Sequence, residues 1–266
     1  KVGYVNASEN WDIWNTIVNS LQITENPIKI AMVGKYVTLA DSYVSVNEAL
    51  KHATASINSS VSIDWIDSET LNGNIKKLSE YQGILVPGGF GTRGSEGIIE
   101  TASFALEQNI PFLGICFGFQ LAAVSFGRSI CKLEEANSTE ISADTAHPII
   151  ALLPEQEGVS DMGGSLRLGA NEIKINPDTL ASKLYNSNKI SRRHRHRYEF
   201  NTNFREQFKE NGMIFSGESD NGKRMEILEV PSHKFFLGVQ FHPEFNSRPG
   251  FPEESFKSFV TAASQN

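Results

Sequence analysis

One of the two cysteines in the chain, Cys116, lies between two glycines in the sequence GICFG. A nucleophile that must meet a carbonyl group is held on a tight turn between a strand and a helix, and neighbouring glycines allow that turn. The apolar runs PFLGI and FQLAAVSF on either side predict a buried strand and a helix. Backbone N–H groups at a helix N-terminus favour a thiolate. We therefore expect Cys116 to be an attacking thiolate; the alternative is a small buried structural cysteine.

A histidine that could serve this cysteine lies in the sequence QFHPEF. A leaving amine needs a proton donor, and the unperturbed pKa of histidine suits that task. His242 follows FFLGVQF, a run that predicts a buried strand. Residues i and i+2 of an extended segment project to one side, so we expect Glu244 to orient the imidazole while Pro243 keeps the backbone extended. The alternative is a surface His-Pro turn.

A tetrahedral intermediate carries a negative oxygen, and the sequence VPGGFG could supply its binding site. Paired glycines after a predicted buried strand can turn their N–H groups toward the same end of the sheet. We expect the N–H groups of Gly89 and Phe117 to form an oxyanion hole. A phosphate cradle or an ordinary loop is the alternative, but neither GxGxxG nor GxxxxGK[ST] occurs in the required context.

The elements that must position these groups follow from apolar periodicity. From IKIAMVG onward, β-branched runs alternate with amphipathic stretches, which predicts an α/β fold with a mostly parallel central sheet and helices on both faces. Active sites in such sheets lie beyond the carboxyl ends of the strands. Shorter runs after residue 145 (HPIIALL, RLGANEIKI, RYEF) and the hairpin signal MIFSGES-DNG-KRMEILEV predict a smaller antiparallel extension. FFLGVQF then returns to the buried-strand type, and residues 254–263 predict a closing helix.

The boundaries of this domain are predicted from the same pattern. Residues 1–27 carry a short helical pattern of Trp14, Ile17, Val18 and Leu21 and are interpreted as a lead-in or linker segment. Residues 28–266 are interpreted as one catalytic domain.

Composition excludes several classes of protein. The chain has 266 residues, 39% of them hydrophobic, and a formal net charge of −7, which argues against nucleic-acid binding. Two cysteines without a CxxC pair argue against a disulfide framework or zinc ribbon, and Cys131 is interpreted as a buried structural residue. No apolar run is long enough to span a bilayer and no signal peptide is evident, so we expect a cytoplasmic protein with no membrane partner.

Several motifs together resemble the class I, triad-type glutamine amidotransferases, and in particular the C-terminal glutaminase domains of the CTP synthase family. The resemblance runs from about Ile28 to Ala263. The motifs are GKYVTLADSYVSVNEALKHA, PGGFGTRGSEG, GICxGxQ, EANSTE, DMGGSLRLG, RHRHRYEFN and QFHPEFNSRP.

The resemblance implies roles for individual residues. Cys116 matches the nucleophile, His242 the base and Glu244 the orienting acid. Glu140 and Arg197 match the residues that hold the ammonium and carboxylate of glutamine, a pairing that suits a free amino acid. The remaining pocket positions are Gly89, Phe117, Gly118 and Gln120.

The resemblance also implies the reaction. Glutamine would be hydrolysed to glutamate and ammonia through a cysteine thioester, and a synthetase (amidoligase) domain absent from this sequence would use the ammonia to convert UTP to CTP. No cofactor and no metal is expected in this domain, whereas the full-length enzyme would use ATP, Mg²⁺ and GTP as activator and would form a homo-oligomer. The alternatives are another class I amidotransferase, a γ-glutamyl hydrolase or a non-catalytic regulatory relative.

Two segments qualify the resemblance. TRGSEG (residues 92–97) is similar to a lid segment linked to GTP activation, which implies a role for Arg93, Gly94 and Glu96. Phe117 and Phe119 stand where the family commonly has Leu and Met, a difference that affects pocket shape.

The basic run SRRHRHRY could suggest nucleic-acid binding. Read as a strand, it places Arg193, Arg195 and Arg197 on one face and His194 and His196 on the other. We expect Arg193 and Arg195 to face the synthetase domain or a nucleotide.

Overall fold

A computed structural model describes residues 11–22, 25–37, 39, 41–71, 73–152 and 166–266. Most of the motif DMGGSLRLG and the first ten residues of the predicted lead-in segment lie outside the described residues. The helices are α1 (Trp11–Gln22), α2 (Val44–Ser56), α3 (Ser95–Gln108), α4 (Phe117–Ser129), α5 (Leu180–Tyr185), α6 (Arg205–Glu210) and α7 (Glu254–Ser264). The strands are β1 (Ile28–Gly34), β2 (Val61–Asp67), β3 (Gly83–Val86), β4 (Phe112–Ile115), β5 (Ala136–Ser138), β6 (His147–Ala151), β7 (Arg167–Ile175), β8 (Lys189–His196), β9 (Glu199–Phe200), β10 (Ile214–Ser219), β11 (Arg224–Glu229) and β12 (Phe236–Val239).

The central sheet of the described residues has nine strands in the order β2-β1-β3-β4-β12-β11-β10-β7-β8. The five strands from β2 to β12 in that order run parallel, and the remaining four follow β12 in the sheet order, each antiparallel to the strand before it. The α/β fold with a mostly parallel core and an antiparallel extension is therefore confirmed.

Helices cover both faces of the sheet because alternate residues of each buried strand point to opposite sides. Helices α3 and α4 pack on one face together with Ile84 and Phe112, and α2 and α7 pack on the other with Leu85 and Leu113. The predicted face of α2 is buried, as the periodicity required. Two sheet-helix layers thus hold the parallel strands rigidly in place.

The register of three central strands sets up the functional edge. Val86 of β3 pairs with Gly114 of β4, and Ile115 of β4 pairs with Val239 of β12. The aromatic rings of Phe112 and Phe236 stack between β4 and β12 with centroids 4.5 Å apart. The carboxyl ends of all three strands consequently lie side by side, where the sequence predicts an active site.

One part of the sequence-based fold was wrong. The runs HPIIALL and RYEF do not join the antiparallel extension; their strands β6 and β9 form a separate three-stranded sheet with β5. These strands are only two to five residues long. Such short strands have too little periodicity to reveal which sheet they join.

The predicted helix in the lead-in segment is present as α1, which packs against α2. Its Trp14 and Val18 are half exposed rather than buried. The assignment of residues 1–27 as a separate segment stays a prediction. Within the described part of the chain, no helix combines the length and apolarity that crossing a bilayer requires.

Candidate active site

Cys116 occupies the turn between β4 and α4, as the elbow pattern predicts. Its backbone has φ 52° and ψ −96°, a conformation that costs a side-chain-bearing residue about 1–3 kcal/mol and is concentrated at functional sites. The flanking glycines permit the turn: a Cβ at Gly114 would lie 2.7 Å from the Gly118 carbonyl carbon, and one at Gly118 would collide with the Val86 carbonyl. Cys116 itself is only 5% exposed.

His242 and Glu244 follow β12 at the same edge of the sheet. His242 Nδ1 lies 2.8 Å from Glu244 Oε1, the contact expected of an orienting carboxylate. The predicted backbone route was wrong, because Pro243 does not keep the segment extended but begins a 3₁₀ turn over Pro243–Asn246. That turn brings the carboxylate back beneath the imidazole.

Two opposing influences set the pKa of His242. Burial alone would lower it, because a buried imidazole loses the hydration of its charged form. The charge and hydrogen bond of Cys116, followed by those of Glu244, outweigh burial and raise the pKa of His242 well above its ordinary value. The imidazole therefore holds a proton that it can give to a leaving amine.

Gly88 brings the thiol and the imidazole together. A Cβ built at Gly88 would lie 3.0 Å from Cε1 of His242 and 3.8 Å from Cβ of Cys116. The two side chains therefore flank the space that a methyl group would occupy. Only glycine leaves this space open, so Gly88 serves the site sterically.

The two predicted oxyanion donors are neighbours. A Cβ at Gly89 would lie 3.4 Å from Cδ1 of Phe117, so the glycine loop packs against the first residue of α4. An N–H group at the first position of a helix points outward, away from the intrahelical hydrogen bonds. Both groups can thus face one point beside the sulfur, and their oxyanion role stays a prediction.

Three of the residues predicted to bind glutamine, Gln120, Glu140 and Arg197, interact with Tyr198. Gln120 donates from Nε2 to the Tyr198 carbonyl oxygen at 2.9 Å. Burial raises the pKa of the Tyr198 hydroxyl, the Glu140 charge raises it further and the Arg197 charge opposes this, so both charged groups act on Tyr198. Glu140 Oε1 also accepts a hydrogen bond from the N–H of Gly91 at 2.8 Å. An acid and an arginine are therefore available on one side of the elbow.

A cleft of about 1010 Å³ opens beside the imidazole. His242 and Glu244 line one wall, and Arg193 and Arg195 of β8 line another. The predicted alternation along β8 is present: the two arginines are exposed, whereas His194 and His196 are buried. The exposed arginines thus face solvent beside the catalytic edge.

Comparison with known proteins now places this arrangement in a family. The family model described as "Glutamine amidotransferase class-I" matches residues 38–262. The chain belongs to this family.

Its relatives narrow the type of amidotransferase. The chain is 49% identical over 257 residues to a CTP synthase of Archaeoglobus fulgidus and 52% identical over 254 residues to one of Staphylococcus epidermidis. These alignments cover 97% and 95% of the chain, but the chain spans about half the length of the two relatives, 48% of each.

Solved structures agree. The glutaminase domain of Trypanosoma brucei CTPS, determined with bound acivicin, matches with a TM-score of 0.85 and 35% identity, over 90% of this chain and 94% of that one. A glutamine amidotransferase of Thermotoga maritima, 14% identical with a TM-score of 0.54, shares the fold. The chain is thus a glutamine amidotransferase domain of the CTP synthase type.

The segment predicted to form a lid makes several contacts within the domain. Arg93 pairs with Glu69 at 2.9 Å and donates to the Lys35 carbonyl oxygen, and Glu96 pairs with Arg128 at 2.6 Å. Gly94 has φ 65° and precedes α3, a left-handed position that favours glycine. A link between these residues and a nucleotide stays a prediction.

Two residues of the amidotransferase site were missed by sequence reasoning. Lys35 donates from Nζ to the carbonyl oxygens of Phe90 and Gly91 and lies 4.3 Å from the ring centroid of Phe117. Gln240 donates from Nε2 to the sulfur of Cys116 at 3.8 Å. The only available signals were their places in the motifs GKYV and QFHPEF, because their contacts are distant in sequence.

The second cysteine lies apart from this site. Burial raises the pKa of the Cys131 thiol to about 11, which disfavours a thiolate. Among the described residues, no group of three or more His, Cys, Asp and Glu side chains could hold a metal ion. The expectation that this domain uses no metal stays a prediction.

Proposed function

We propose that this domain hydrolyses L-glutamine to glutamate and ammonia, with Cys116, His242 and Glu244 as its catalytic residues. The observation that carries the proposal is the contact of one strained, elbow-held thiol with an imidazole that a carboxylate orients. Membership of the amidotransferase family supports the reaction class.

The reaction begins with attack of the Cys116 sulfur on the side-chain amide carbon of glutamine. The carbonyl π electrons move to oxygen, where the N–H groups of Gly89 and Phe117 would stabilise the negative charge. His242 then donates its proton to the amide nitrogen. Ammonia leaves and a γ-glutamyl thioester remains on the sulfur.

The second half of the reaction reverses these roles. Neutral His242 removes a proton from water, the resulting hydroxide attacks the thioester carbonyl, and the carbon–sulfur bond breaks to release glutamate and the thiolate. Glu244 keeps the imidazole oriented in both steps. The route needs no cofactor, because cysteine supplies the nucleophile and histidine moves the proton.

Glutamine binding is assigned by charge. Glu140 would hold the α-ammonium and Arg197 the α-carboxylate, with Gln120 and the backbone of Gly118 completing the pocket. The acivicin bound to the Trypanosoma brucei glutaminase domain supports a site for a glutamine-like molecule, since acivicin is a glutamine analogue.

We further propose that the ammonia passes to a synthetase domain, which aminates UTP to CTP. The similarity to CTP synthases about twice as long supports this partner. In that full-length enzyme ATP and Mg²⁺ would drive the amination, GTP would activate it through the segment that contains Arg93, Gly94 and Glu96, and the enzyme would be a cytoplasmic homo-oligomer. The exposed Arg193 and Arg195 would face the synthetase domain.

The test is labelling of the chain with a glutamine chloroketone, followed by mass spectrometry and by measurement of ammonia release. We expect one adduct at Cys116, which glutamine prevents, and loss of both labelling and ammonia release in Cys116→Ala. Cys131→Ala is the control and should label like the unmodified chain. Labelling does not depend on fast turnover, so a low basal activity does not obscure the result.

Four outcomes would contradict the proposal. An adduct at Cys131, or ammonia release that survives in Cys116→Ala, would exclude Cys116 as the nucleophile. Hydrolysis of γ-glutamyl peptides in preference to glutamine would indicate a γ-glutamyl hydrolase. An unlabelled chain with intact near-UV circular dichroism would indicate a non-catalytic relative.

A further inference from the structure

Gln240 is a buried amide whose contact with the nucleophile has no role in the mechanism above. Its side chain is fully buried, and its Nε2 atom lies 3.8 Å from the sulfur of Cys116. A buried amide must find hydrogen-bond partners, and here the sulfur is one of them.

The direction of this hydrogen bond follows from a backbone carbonyl. The Tyr198 carbonyl oxygen can only accept, so the group of Gln120 that faces it at 2.9 Å is the NH₂ end. The NH₂ group of Gln120 also donates to Oε1 of Gln240, at 3.3 Å. With its oxygen turned to Gln120, Gln240 presents its NH₂ to the sulfur.

The backbone of Gln240 is held equally well. Its N–H donates to the Glu226 carbonyl oxygen at 2.9 Å, and the preceding residue, Val239, accepts a hydrogen bond from the N–H of Cys116 at 2.7 Å. Two consecutive residues thus hold both the backbone and the sulfur of the nucleophile. The amide is fixed before substrate arrives.

The sulfur has a second polar neighbour with the opposite preference. The Arg195 carbonyl oxygen lies 4.0 Å from it and can only accept, so it favours the protonated thiol. An amide N–H favours the thiolate, which only accepts. The two neighbours therefore serve different protonation states of one atom.

We propose that Gln240 is the hydrogen-bond donor that stabilises the Cys116 thiolate, and that Gln120 is a positioning residue that keeps the Gln240 amide turned toward the sulfur. The inference rests on the proposed function, in which the thiolate is the attacking group. The same donor acts twice, because the thiolate attacks in the first half of the reaction and leaves in the second.

The experiment measures how fast iodoacetamide alkylates Cys116 as a function of pH, in the Cys131→Ala background. Iodoacetamide reports thiolate and needs no glutamine site. Gln240→Met keeps the volume but removes the donor, and we expect the midpoint of the pH profile to rise by about one unit, with kcat/KM for glutamine reduced roughly tenfold or more at neutral pH. Gln120→Met should shift the midpoint in the same direction by a smaller amount, because the Gln240 amide can then flip.

The matched control is Thr101→Val in α3, which removes a buried side-chain hydrogen bond to the Gly97 carbonyl without touching the site. It should lower Tm and leave the alkylation midpoint unchanged. An unchanged midpoint in Gln240→Met, with Tm lowered as in the control, would overturn the inference and leave Gln240 a packing residue. If Gln240→Met does not fold, Gln120→Met decides by the same criterion.

Failure of the proposed function would look different. In that case Cys116 of the chain with Gln240 and Gln120 intact would react with iodoacetamide no faster than an ordinary buried thiol. The chain would also release no ammonia from glutamine. The inference fails while the proposed function stands if Cys116 is reactive but the midpoint of its alkylation profile is the same in Gln240→Met, in Gln120→Met and in the unsubstituted chain.

Discussion

The molecule contains two histidine–carboxylate pairs with nearly equal nitrogen–oxygen distances, and only one of them is suited to catalysis. His242 lies 2.8 Å from Glu244, and His194 lies 2.9 Å from Glu226. The side chains of the first pair are 15% and 7% exposed, whereas both side chains of the second are 0% exposed. The distance between an imidazole and a carboxylate therefore does not identify a catalytic pair.

The third partner distinguishes them. His242 of the first pair interacts with the thiol of Cys116 and lines the cleft, so it can exchange a proton with the thiol or with a bound substrate. In the second pair, Glu226 also binds Arg167 at 2.6 Å and the Ser219 hydroxyl, which closes the carboxylate off from any substrate. The first arrangement suits the proton transfer that we propose, and the second links strands of the antiparallel extension.

Strand β8 contributes to both pairs. The Arg193 carbonyl oxygen accepts a hydrogen bond from the N–H of His242 at 2.8 Å. The side chain of the next residue, His194, contacts Glu226 in the buried pair. The alternation of a β-strand thus gives one segment a catalytic face and a structural face.

The strongest way to break the comparison is to truncate each histidine in turn. His242→Ala should reduce glutamine hydrolysis by roughly 10²–10⁴-fold at unchanged Tm, because it removes the proton donor from a partly open site. His194→Ala should reduce turnover per folded molecule by less than about tenfold while lowering Tm. Ammonia release and thermal melting of both variants measure these effects. If the two substitutions reduced the rate of hydrolysis equally, the two pairs would not be functionally distinct.

The second prediction concerns the stability of the buried pair. Burial raises the pKa of Glu226, but the hydrogen bond from His194 and the charge of Arg167 outweigh it and lower the pKa to about 2. The stability that this carboxylate contributes is complete above its unfolded pKa and is lost as pH falls toward 2. Glu226→Gln should therefore lower the free energy of unfolding by about 3–5 kcal/mol at pH 7, as measured by urea unfolding. A cost that stays the same from pH 7 to below pH 3 would contradict this assignment.

The third prediction tests whether a charge outside the catalytic pair supports the site. Burial lowers the pKa of Lys35 to about 8, with Glu140 opposing and Arg93 adding to the shift. As pH rises through 8, Lys35 loses the positive charge that strengthens its hydrogen bonds to the carbonyl oxygens of Phe90 and Gly91. Glutamine hydrolysis should then fall several-fold.

Variants of Lys35 isolate this effect. Lys35→Met should show the reduced rate at every pH, and Lys35→Arg should keep the rate to higher pH because its guanidinium stays charged. A pH–rate profile of kcat/KM from pH 6.5 to 9.5 measures both. A decline above pH 8 that persists unchanged in Lys35→Arg would assign the titration to another group.

The prediction with the smallest expected effect concerns Glu199, a buried carboxylate whose pKa is influenced by Glu226. Burial, and then the Glu226 charge, raise the pKa of Glu199 to about 7 against the opposing charges of Arg167 and Arg224. A raised folded pKa contributes stability below the unfolded value of about 4.5 and loses it as pH rises through 7. Glu199→Gln should remove this loss. The drop in Tm from pH 5 to pH 8 should therefore be about 2–4 °C smaller in the variant than in the unsubstituted chain. Parallel Tm profiles of the two proteins would contradict the assignment.

Local patterns were enough to predict most of the elements. The strand IKIAMVG, the helix face of Val46, Leu50 and Ala53, and the DNG turn between β10 and β11 each follow from periodicity or turn chemistry within a few residues. The elbow at Cys116 is of the same kind, because its glycines adjoin it. Errors arose where strands were short, in β6 and β9, and where Pro243 turned the chain instead of extending it.

Contacts between distant segments could not be predicted in this way. Lys35 reaches residues more than fifty positions away, and Gln240 reaches a cysteine 124 positions away. The buried cluster around Glu226 joins β7, β8 and β11. No periodicity marks such contacts, since each depends on the register of strands that are not neighbours in sequence.

The amino-acid sequence by itself determined the α/β class, the elbow and the three side chains able to perform thiol chemistry, because those properties depend on residue types and on spacings of a few residues. Only the tertiary structure showed that a second histidine–carboxylate pair, His194 with Glu226, exists and that Arg167 and the Ser219 hydroxyl close it off from substrate. The reason is that sheet register and burial set the partners of each charge, and both arise only when segments far apart in the chain pack together.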